Sequence, residues 1–377
     1  MMVIRSRVLV CLGVLFGVLF GVLVGSVGNA FAQENSALFL SRANAKVAKA
    51  AGLKSKWEGP TDGPKLQKNK KIVYVASDMN DAGIFGVYNG LREATAGTGW
   101  EILLIDCRRQ CNQASKVIAQ ALEFKPHGII LSGIDAINQK AGLALAHEAK
   151  VPVVGWHASI KPGPMEGLLF TNITSNAKEA AQIAALYGVV ESNSKAGIVV
   201  FADSSNPYST AKSSAIIEVI RQCESCRLLS VEELPVAEAY RKMTPVVEGL
   251  AKKFGAKWTH AVAVNDAYFD FMERPEVAAL LATNKVLGLS AGDGSQNAYK
   301  RIRTSTLQIG TVPEPILLHS WQIVDELNRA FAGVAPSGFV SQVHLVTSQN
   351  IAYDGGPKNV FDPSNDFRTH YQSYWGK

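Results

Sequence analysis

Past its first 32 residues the chain has no run of about 18 apolar residues, the least a membrane-crossing helix needs. It also lacks any block of like charge. Its 38 Lys and Arg are interspersed with 32 Asp and Glu, which describes a solvated surface and not a nucleic-acid footprint. Cysteine is scarce, five in 377 residues. Signatures of nucleotide chemistry and hydrolysis are missing too. After the first strand candidate stands only Gly83-Ile84-Phe85-Gly86, without the Gly-x-Gly-x-x-Gly turn that brings backbone against a pyrophosphate. Neither a Gly-x-Ser-x-Gly elbow nor a His-Glu-x-x-His pair occurs. No nucleophile is nominated, so the reading is of a protein that is not an enzyme and needs no cofactor.

What is present begins with an export pattern. Arg5 and Arg7 precede an apolar run from Val8 to Val27, and Ala30-Phe31-Ala32 follows before Gln33. A basic start, an apolar core and a small-x-small site are the parts of a secretory signal, so residues 1–32 are expected to be a cleaved signal peptide. A retained anchor is the competing reading; the glycine-rich run and the adjacent cleavage site argue against it. Cys11 lies at the start of the run, not at its end where a lipid-bearing cysteine belongs. Removing residues 1–32 leaves 345 residues and lowers the formal charge from +6 to +4. That length exceeds what one compact core usually supports, and two domains are expected.

The four remaining cysteines fall in two close pairs, Cys107/Cys111 and Cys223/Cys226. Outside the cytoplasm an even count favours disulfides. A redox-active Cys-x-x-Cys and a four-thiolate zinc site compete with that reading. Placement along the chain separates the pairs. One follows the second strand candidate near a cleft rim, and the other precedes a strand of the second domain at its opposite end. Two local disulfides are therefore expected.

Residues 33–70 read as a lead-in. Ser36 to Leu53 has helical spacing, broken by Gly59-Pro60-Thr61-Asp62-Gly63-Pro64. From Lys71 onward short β-branched runs alternate with helical patterns. Ile72–Val75, Glu101–Ile105, Gly128–Leu131 and Val151–Gly155 are the first set of strands, separated by helices over Gly86–Ala96, Ala114–Phe124 and Ala136–Ala149. A second set follows Thr171: Ala196–Phe201, Arg227–Val231, His260–Val264, Val286–Leu289 and Leu307–Ile309, with helices at Asn176–Val190, Thr210–Arg221 and Met243–Phe254. Continuous apolar strands imply burial on both faces of a parallel sheet. Two such series make an α/β protein of two doubly wound, Rossmann-like lobes.

Open α/β sheets bind ligands beyond the carboxyl ends of their strands. Polar clusters stand there: Ser77 to Gly83 after the first strand, Trp156-His157 after the fourth, Asp203 to Tyr208, Asn265-Asp266, Gly292-Asp293-Gly294 and Thr311 in the second series. Amides, carboxylates and aromatic faces at one crevice suit a hydroxyl-bearing small molecule. Taken singly, each Asp or Asn is as well explained as a helix N-cap, Trp156 as a packed aromatic and His157 as a surface histidine. Recurrence after several strands favours a site.

The same residues carry a resemblance. Lys71-Ile72-Val73-Tyr74-Val75 with Gly90, Pro126-His127-Gly128-Ile129-Ile130-Leu131, Val151-Pro152-Val153-Val154, Val264-Asn265-Asp266, Gly292-Asp293-Gly294 and Thr311-Val312-Pro313-Glu314 together resemble the periplasmic substrate-binding proteins of ABC importers, in the ribose-type sugar-binding group. The resemblance runs from about residue 70 to 350. It implies two lobes joined by three crossovers near Thr171, Thr311 and Pro336, closing on a ligand between them. The lobes would be 71–171 with 312–336 and 172–311 with 337–377.

In that family an Asn after the first strand, an Asp-Arg pair after the fourth, an Arg in a helix of the second lobe, the Asn of Asn-Asp and the Asp of Asp-Gly hold the sugar. Asn265 and Asp293 match. Asp81 stands where Asn is usual, Gly83 and Ile84 where aromatics are, His157 and Ala158 in place of Asp-Arg, Lys212 at the Arg and Thr311 at a Gln. The expected contacts are Asn80, Asp81, His157, Lys212, Asn265, Asp293 and Thr311, with Ile84, Trp156 and Tyr208 as walls. No metal site is expected.

The function so implied is that of a monomeric periplasmic receptor that delivers a sugar or sugar-like ligand to an ABC permease in the inner membrane. Three alternatives remain at this point: a sensor module for a membrane receptor, a binder of an aromatic or more apolar molecule, and a secreted α/β enzyme. A DNA-binding repressor is excluded, because the export signal and lead-in occupy the place of its helix-turn-helix.

Overall fold

The structure, a computed structural model, describes residues 36–376 except 54, 109, 112–115 and 356. The signal segment read at 1–32 lies outside the described residues. None of the described helices is long and apolar enough to cross a membrane.

Two six-stranded sheets form the core of two lobes. The first sheet is built from β1 (Lys71–Ala76), β2 (Glu101–Asp106), β3 (Gly128–Ser132), β4 (Val153–Trp156), β5 (Gly163–Met165) and β6 (Leu169–Ile173) in the order β2-β1-β3-β4-β6-β5. The second contains β7 (Gly197–Ala202), β8 (Arg227–Glu233), β9 (His260–Ala263), β10 (Leu287–Ser290), β11 (Gln308–Thr311) and β12 (Val346–Thr347) in the order β12-β11-β10-β9-β7-β8. All neighbours are parallel except the edge pairs β5/β6 and β11/β12. Central strands β1, β3 and β7 are buried almost throughout, as their unbroken apolar runs require, whereas edge strand β2 is half exposed. Strand order reverses between β1 and β3 and again between β7 and β9. These are the switch points where adjoining loops part and leave a crevice.

Helix starts follow capping chemistry. In α2 (Ala82–Ala94) the Asp81 carboxylate accepts from the Gly83 and Ile84 amides, which moves the start four residues ahead of the expected Gly86. Asn176 caps α5 (Ala177–Glu191), and Asn206 caps α6 (Pro207–Gln222) with Pro207 in the first turn. The remaining helices are α1 (36–51), α3 (Lys116–Glu123), α4 (Lys140–Glu148), α7 (Val236–Phe254), α8 (Ala267–Met272), α9 (Pro275–Asn284), α10 (Gln296–Thr304), α11 (Ile316–Phe331), α12 (Ile351–Asp354) and α13 (Phe367–Trp375). Helix α11 packs on α2 so closely that a Cβ on Gly90 would lie 2.3 Å from Ser320 Oγ.

Both cysteine pairs are disulfides, Cys107–Cys111 and Cys223–Cys226, each with a Cα–Cα separation of 5.3 Å. In each pair the first cysteine is buried and the second half-buried. Cys111 packs against the core around β1 and β3 and accepts at its carbonyl from Gln139 Nε2 at 2.8 Å, so the bridge also holds the turn ahead of α4. Cys226 packs against the second lobe's core, and its amide donates to the Cys223 carbonyl at 3.1 Å in the tight turn between α6 and β8. Each bridge adjoins an edge strand, β2 or β8, where fewer sheet neighbours fix the chain.

The lobe boundaries need correction at both ends. Phe367, Tyr371 and Trp375 of α13 lie in the first lobe's core with Trp321, so 337–377 does not belong wholly to the second lobe. Their large aromatic faces are buried there by stacking, Trp375 on Trp321 at 5.4 Å. The lead-in is likewise shared. Ala43, Val47 and Ala50 of α1 pack in the second lobe's core, whereas Trp57 and Leu66 pack against the first. Besides crossings at 174–176, 312–315 and 332–343, the chain therefore passes between lobes between Ala51 and Trp57 and again at 362–366.

Candidate functional site

Between the lobes, at the carboxyl ends of β1, β3, β4, β7, β9 and β10, lies a cavity of about 140 Å³. Ser77, Asp81, Ile84, Gly133, Trp156 and His157 line it from the first lobe. Asn206, Tyr208, Ser209, Lys212, Val264, Asn265 and Asp293 line it from the second. Asp81, Asn265 and Asp293 also border an adjoining chamber of about 160 Å³ that reaches Tyr240 and Phe271. Both chambers fall below the ~300 Å³ at which drug-sized sites begin, so a single small molecule is what the first one fits.

The lobes touch across this cavity. His157, held at φ 52° in the left-handed region, is sandwiched between Trp156 (centroids 3.8 Å apart) and Tyr208 (4.3 Å). A non-glycine residue in that conformation is uncommon and here aims the ring into the stack. The Tyr208 hydroxyl donates to Glu314 Oε1 at 2.8 Å. Lys212 Nζ donates to the Ala291 carbonyl at 2.7 Å and sits 4.6 Å above the Tyr208 ring. Gly83 makes room for Asp293, since a Cβ there would lie 2.9 Å from Asp293 Oδ2 and 3.0 Å from the Trp156 ring.

Glu314 ties this stack to the hinge. Its Oε2 accepts from the Ser175 amide, Ser175 Oγ bonds Ser341 Oγ at 2.9 Å, and Ser341 Oγ bonds His319 Nε2 at 2.7 Å. Trp156 Nε1 donates to His319 Nδ1 at 3.2 Å, so the other ring nitrogen carries the His319 proton. Burial pulls His319 down to about 4. It is neutral at pH 7, and its 3.7 Å approach to Glu314 is not an ion pair there. For Glu314 burial works upward, but the contact with His157 and the charge of Lys212 outweigh it and hold the carboxyl well below its ordinary value. His157 Nε2 lies 3.5 Å from Glu314 Oε1 but is too poorly aligned for a hydrogen bond, so the contact is electrostatic. Burial, with Asp81 adding repulsion, pushes Asp293 up to about 6 against the pull of Lys212. Burial and the nearby Glu314 charge raise the Tyr208 phenol, which stays protonated as a donor.

Asp81, Ile84, Trp156, His157, Tyr208, Lys212, Asn265 and Asp293 are thus brought together as the sequence reading expects, whereas two residues are not. Asn80 is exposed and turned back on Asp78 Oδ1 at 2.9 Å, because that carboxylate closes the turn ahead of α2. Thr311 is fully buried behind the site, donating to Asp266 Oδ1 at 2.9 Å. Asp266 also accepts from Ser290 Oγ, Gln308 Nε2 and the Gly294 amide, and so fixes the loop that carries Asp293. None of the four cysteines lines either chamber. Cys107 and Cys111 follow edge strand β2 at the carboxyl end of its sheet, the cleft side, where the Cys107 amide donates to the Ala76 carbonyl beside Ser77; Cys223 and Cys226 stand ahead of β8, at the opposite end of its sheet from the cleft. Glu314, His319, Ser175 and Ser341 are not singled out by the sequence; only the Thr311-Val312-Pro313-Glu314 motif hints at the first of them.

No protein-family model matches the sequence, and no curated protein does. Solved structures do. A sugar ABC transporter protein from Yersinia enterocolitica superposes with TM-score 0.68 at 15% identity over 84% of this chain and 99% of that one. An ABC transporter solute-binding protein from Agrobacterium vitis with bound allitol gives 0.62 at 16% identity, covering 75% and 97%. The periplasmic component of an arabinose ABC transporter from a Shewanella species, bound to arabinofuranose, gives 0.63 at 14%, covering 75% and 93%. The chain has the fold of the solute-binding proteins of sugar ABC transporters.

Proposed function

We propose that this chain is an extracytoplasmic solute-binding protein that captures one small polyhydroxylated molecule, a monosaccharide or polyol, between its lobes and presents it to an ABC permease. The observation that carries the reading is the composition of the cavity between the lobes. Two carboxylates, Asp81 and Asp293, stand with the amides of Asn206 and Asn265 and the ammonium of Lys212, beside the Trp156 and Tyr208 rings, in about 140 Å³. Carboxylates accept from hydroxyls, amides both donate and accept, and Lys212 keeps donors beyond the one given to Ala291. Apart from Val264 and Ile84 few apolar groups line it, which disfavours a purely apolar ligand.

The relatives in fold support the class. Their ligands include allitol, arabinofuranose and, in a Mycobacterium smegmatis protein, glycerol. Each element of the closed contact comes from a different lobe or from the hinge, so ligand held between Asp81 and Asn265 is linked to closure. Export through the N-terminal segment and action as a monomer complete the reading.

Mass spectrometry of whatever co-purifies with the protein, followed by a thermal-shift panel of monosaccharides and polyols, tests it. A binder raises the melting temperature with its saturation. If no member of the panel does so, the proposal fails.

A further inference from the structure

Behind the hinge, on the side away from the cleft, is a second cavity of about 190 Å³. Its walls come from four separate passages of the chain between the lobes. Glu58 follows the first; Pro315 ends the second, with Leu318 in the first turn of α11 behind it; Phe339 and Ser341 belong to the third main crossover; Phe361 and Asn365 flank the last. Gln342 Nε2 donates to Glu58 Oε2, which ties the outer wall to the third crossover. Leu318, Phe361 and Ser341 are almost wholly buried and form the floor. Asn365 is only 8% exposed, and its Oδ1 has no hydrogen-bond partner among the described residues. A buried amide oxygen left so costs stability unless something donates to it.

Ser341 on this floor is also the inner end of the chain of bonds that runs through His319 Nε2 and Nδ1 to Trp156 Nε1 in the cleft. The cavity and the ligand cleft therefore share a hydrogen-bonded relay two side chains long. Phe339 and Phe361 supply flat apolar walls with Pro315 and Leu318, while Ser55, Lys56, Glu58 and Gln342 make the rest of the lining polar. Asn365 adds one acceptor.

We propose that this hinge cavity is a second binding site, for a small aromatic molecule carrying one hydroxyl or N–H donor, and that its occupancy is communicated to the cleft through Ser341, His319 and Trp156. The donor bonds Asn365 Oδ1 while the ring lies between Phe339 and Phe361. Because the walls belong to segments that change lobes, the occupant also bears on hinge motion. By reciprocity, whatever occupies the cleft alters its affinity in turn.

The test uses 4-fluorophenol and fluorobenzene as probes, followed by fluorine NMR on the full protein. The expected result is saturable binding of one 4-fluorophenol per chain, with fluorobenzene about fivefold weaker or more for want of the donor. Asn365→Leu should remove that difference, and Leu318→Trp, which fills the cavity, should abolish binding of both probes. The two probes on the parental protein decide the matter even if either variant fails to fold. The indole N–H resonance of Trp156, assigned with Trp156→Phe, should shift as 4-fluorophenol is added. Absence of saturable binding, an undiminished preference for the phenol in Asn365→Leu, or a stationary Trp156 resonance overturns the proposal. So does loss of 4-fluorophenol binding in Asp293→Ala, since that would put the probe in the cleft.

Discussion

Replacing Tyr208 by Phe isolates the bond that latches the lobes to the hinge. The hydroxyl donates to a buried, ionised Glu314 at 2.8 Å, while the ring makes the stack on His157 and lies under Lys212. Phe keeps both ring contacts and deletes only the donor. A hydrogen bond to a charged partner contributes about 1.5–3 kcal/mol net. On the premise that parting the lobes returns both groups to water, the loss falls on the closed state alone. Since about 1.4 kcal/mol is a tenfold change, ligand affinity should fall roughly ten- to a hundredfold. Isothermal titration with the ligand found in the panel reads this directly, and thermal unfolding without ligand should be little altered. An affinity within twofold of the parent would refute the latch.

Other expectations follow from the same contacts. Gly83→Ala suits the helix but puts a Cβ 2.9 Å from Asp293 Oδ2; ligand binding measured by titration should weaken while the melting temperature is kept. Gly90→Ala meets Ser320 Oγ at 2.3 Å between two packed helices and should cost about 1–3 kcal/mol in chemical denaturation. Asp293 gives a pH dependence. Its carboxyl sits near 6 when closed over, against an ordinary 3.8, so the closed state binds the proton more tightly than the open one. Closure without ligand should therefore be favoured as pH falls from about 6 toward 4, and the penalty of the ionised group is complete above 6. Glu314, held low, acts in the opposite sense and only below its ordinary range. Glu326, which burial pushes up to about 7, shares the sign of Asp293, so the comparison with Asp293→Asn in solution scattering across pH isolates the effect. A pH profile unchanged in that variant would contradict the assignment.

Much of the fold was legible because the buried parallel strands are nearly pure β-branched runs, such as Ile72–Val75 and Ala196–Phe201. The disulfides were legible for a simpler reason: Cys111 and Cys226 each stand within four residues of their partners, so pairing needs no knowledge of the fold. Helix α11 was missed although its apolar residues recur at helical spacing, and beyond that stripe it buries His319, Gln322, Asp325, Glu326 and Asn328. Two of those polar groups are satisfied by distant chain, Asp325 by Trp375 as well as by Arg329 one turn on, and Asn328 by Pro64 and Gln67. The cleft was legible where residues follow strands. Asp81 and Asn206 turn out to be helix caps and cavity walls at once, so the two readings of such residues need not compete. The hinge network was illegible for a different reason. Ser175, Glu314 and Ser341 come from three crossovers and His319 from helix α11, up to 166 residues apart, and no local spacing joins them.

The most direct test of the account is titration of the purified protein, and of its Asp293→Ala and Asn265→Ala variants, with the monosaccharide or polyol that the panel selects. One ligand per chain with micromolar affinity, about −8 kcal/mol, weakened at least tenfold in both variants, is the predicted result. Binding that survives both substitutions undiminished would contradict a ligand site between the lobes.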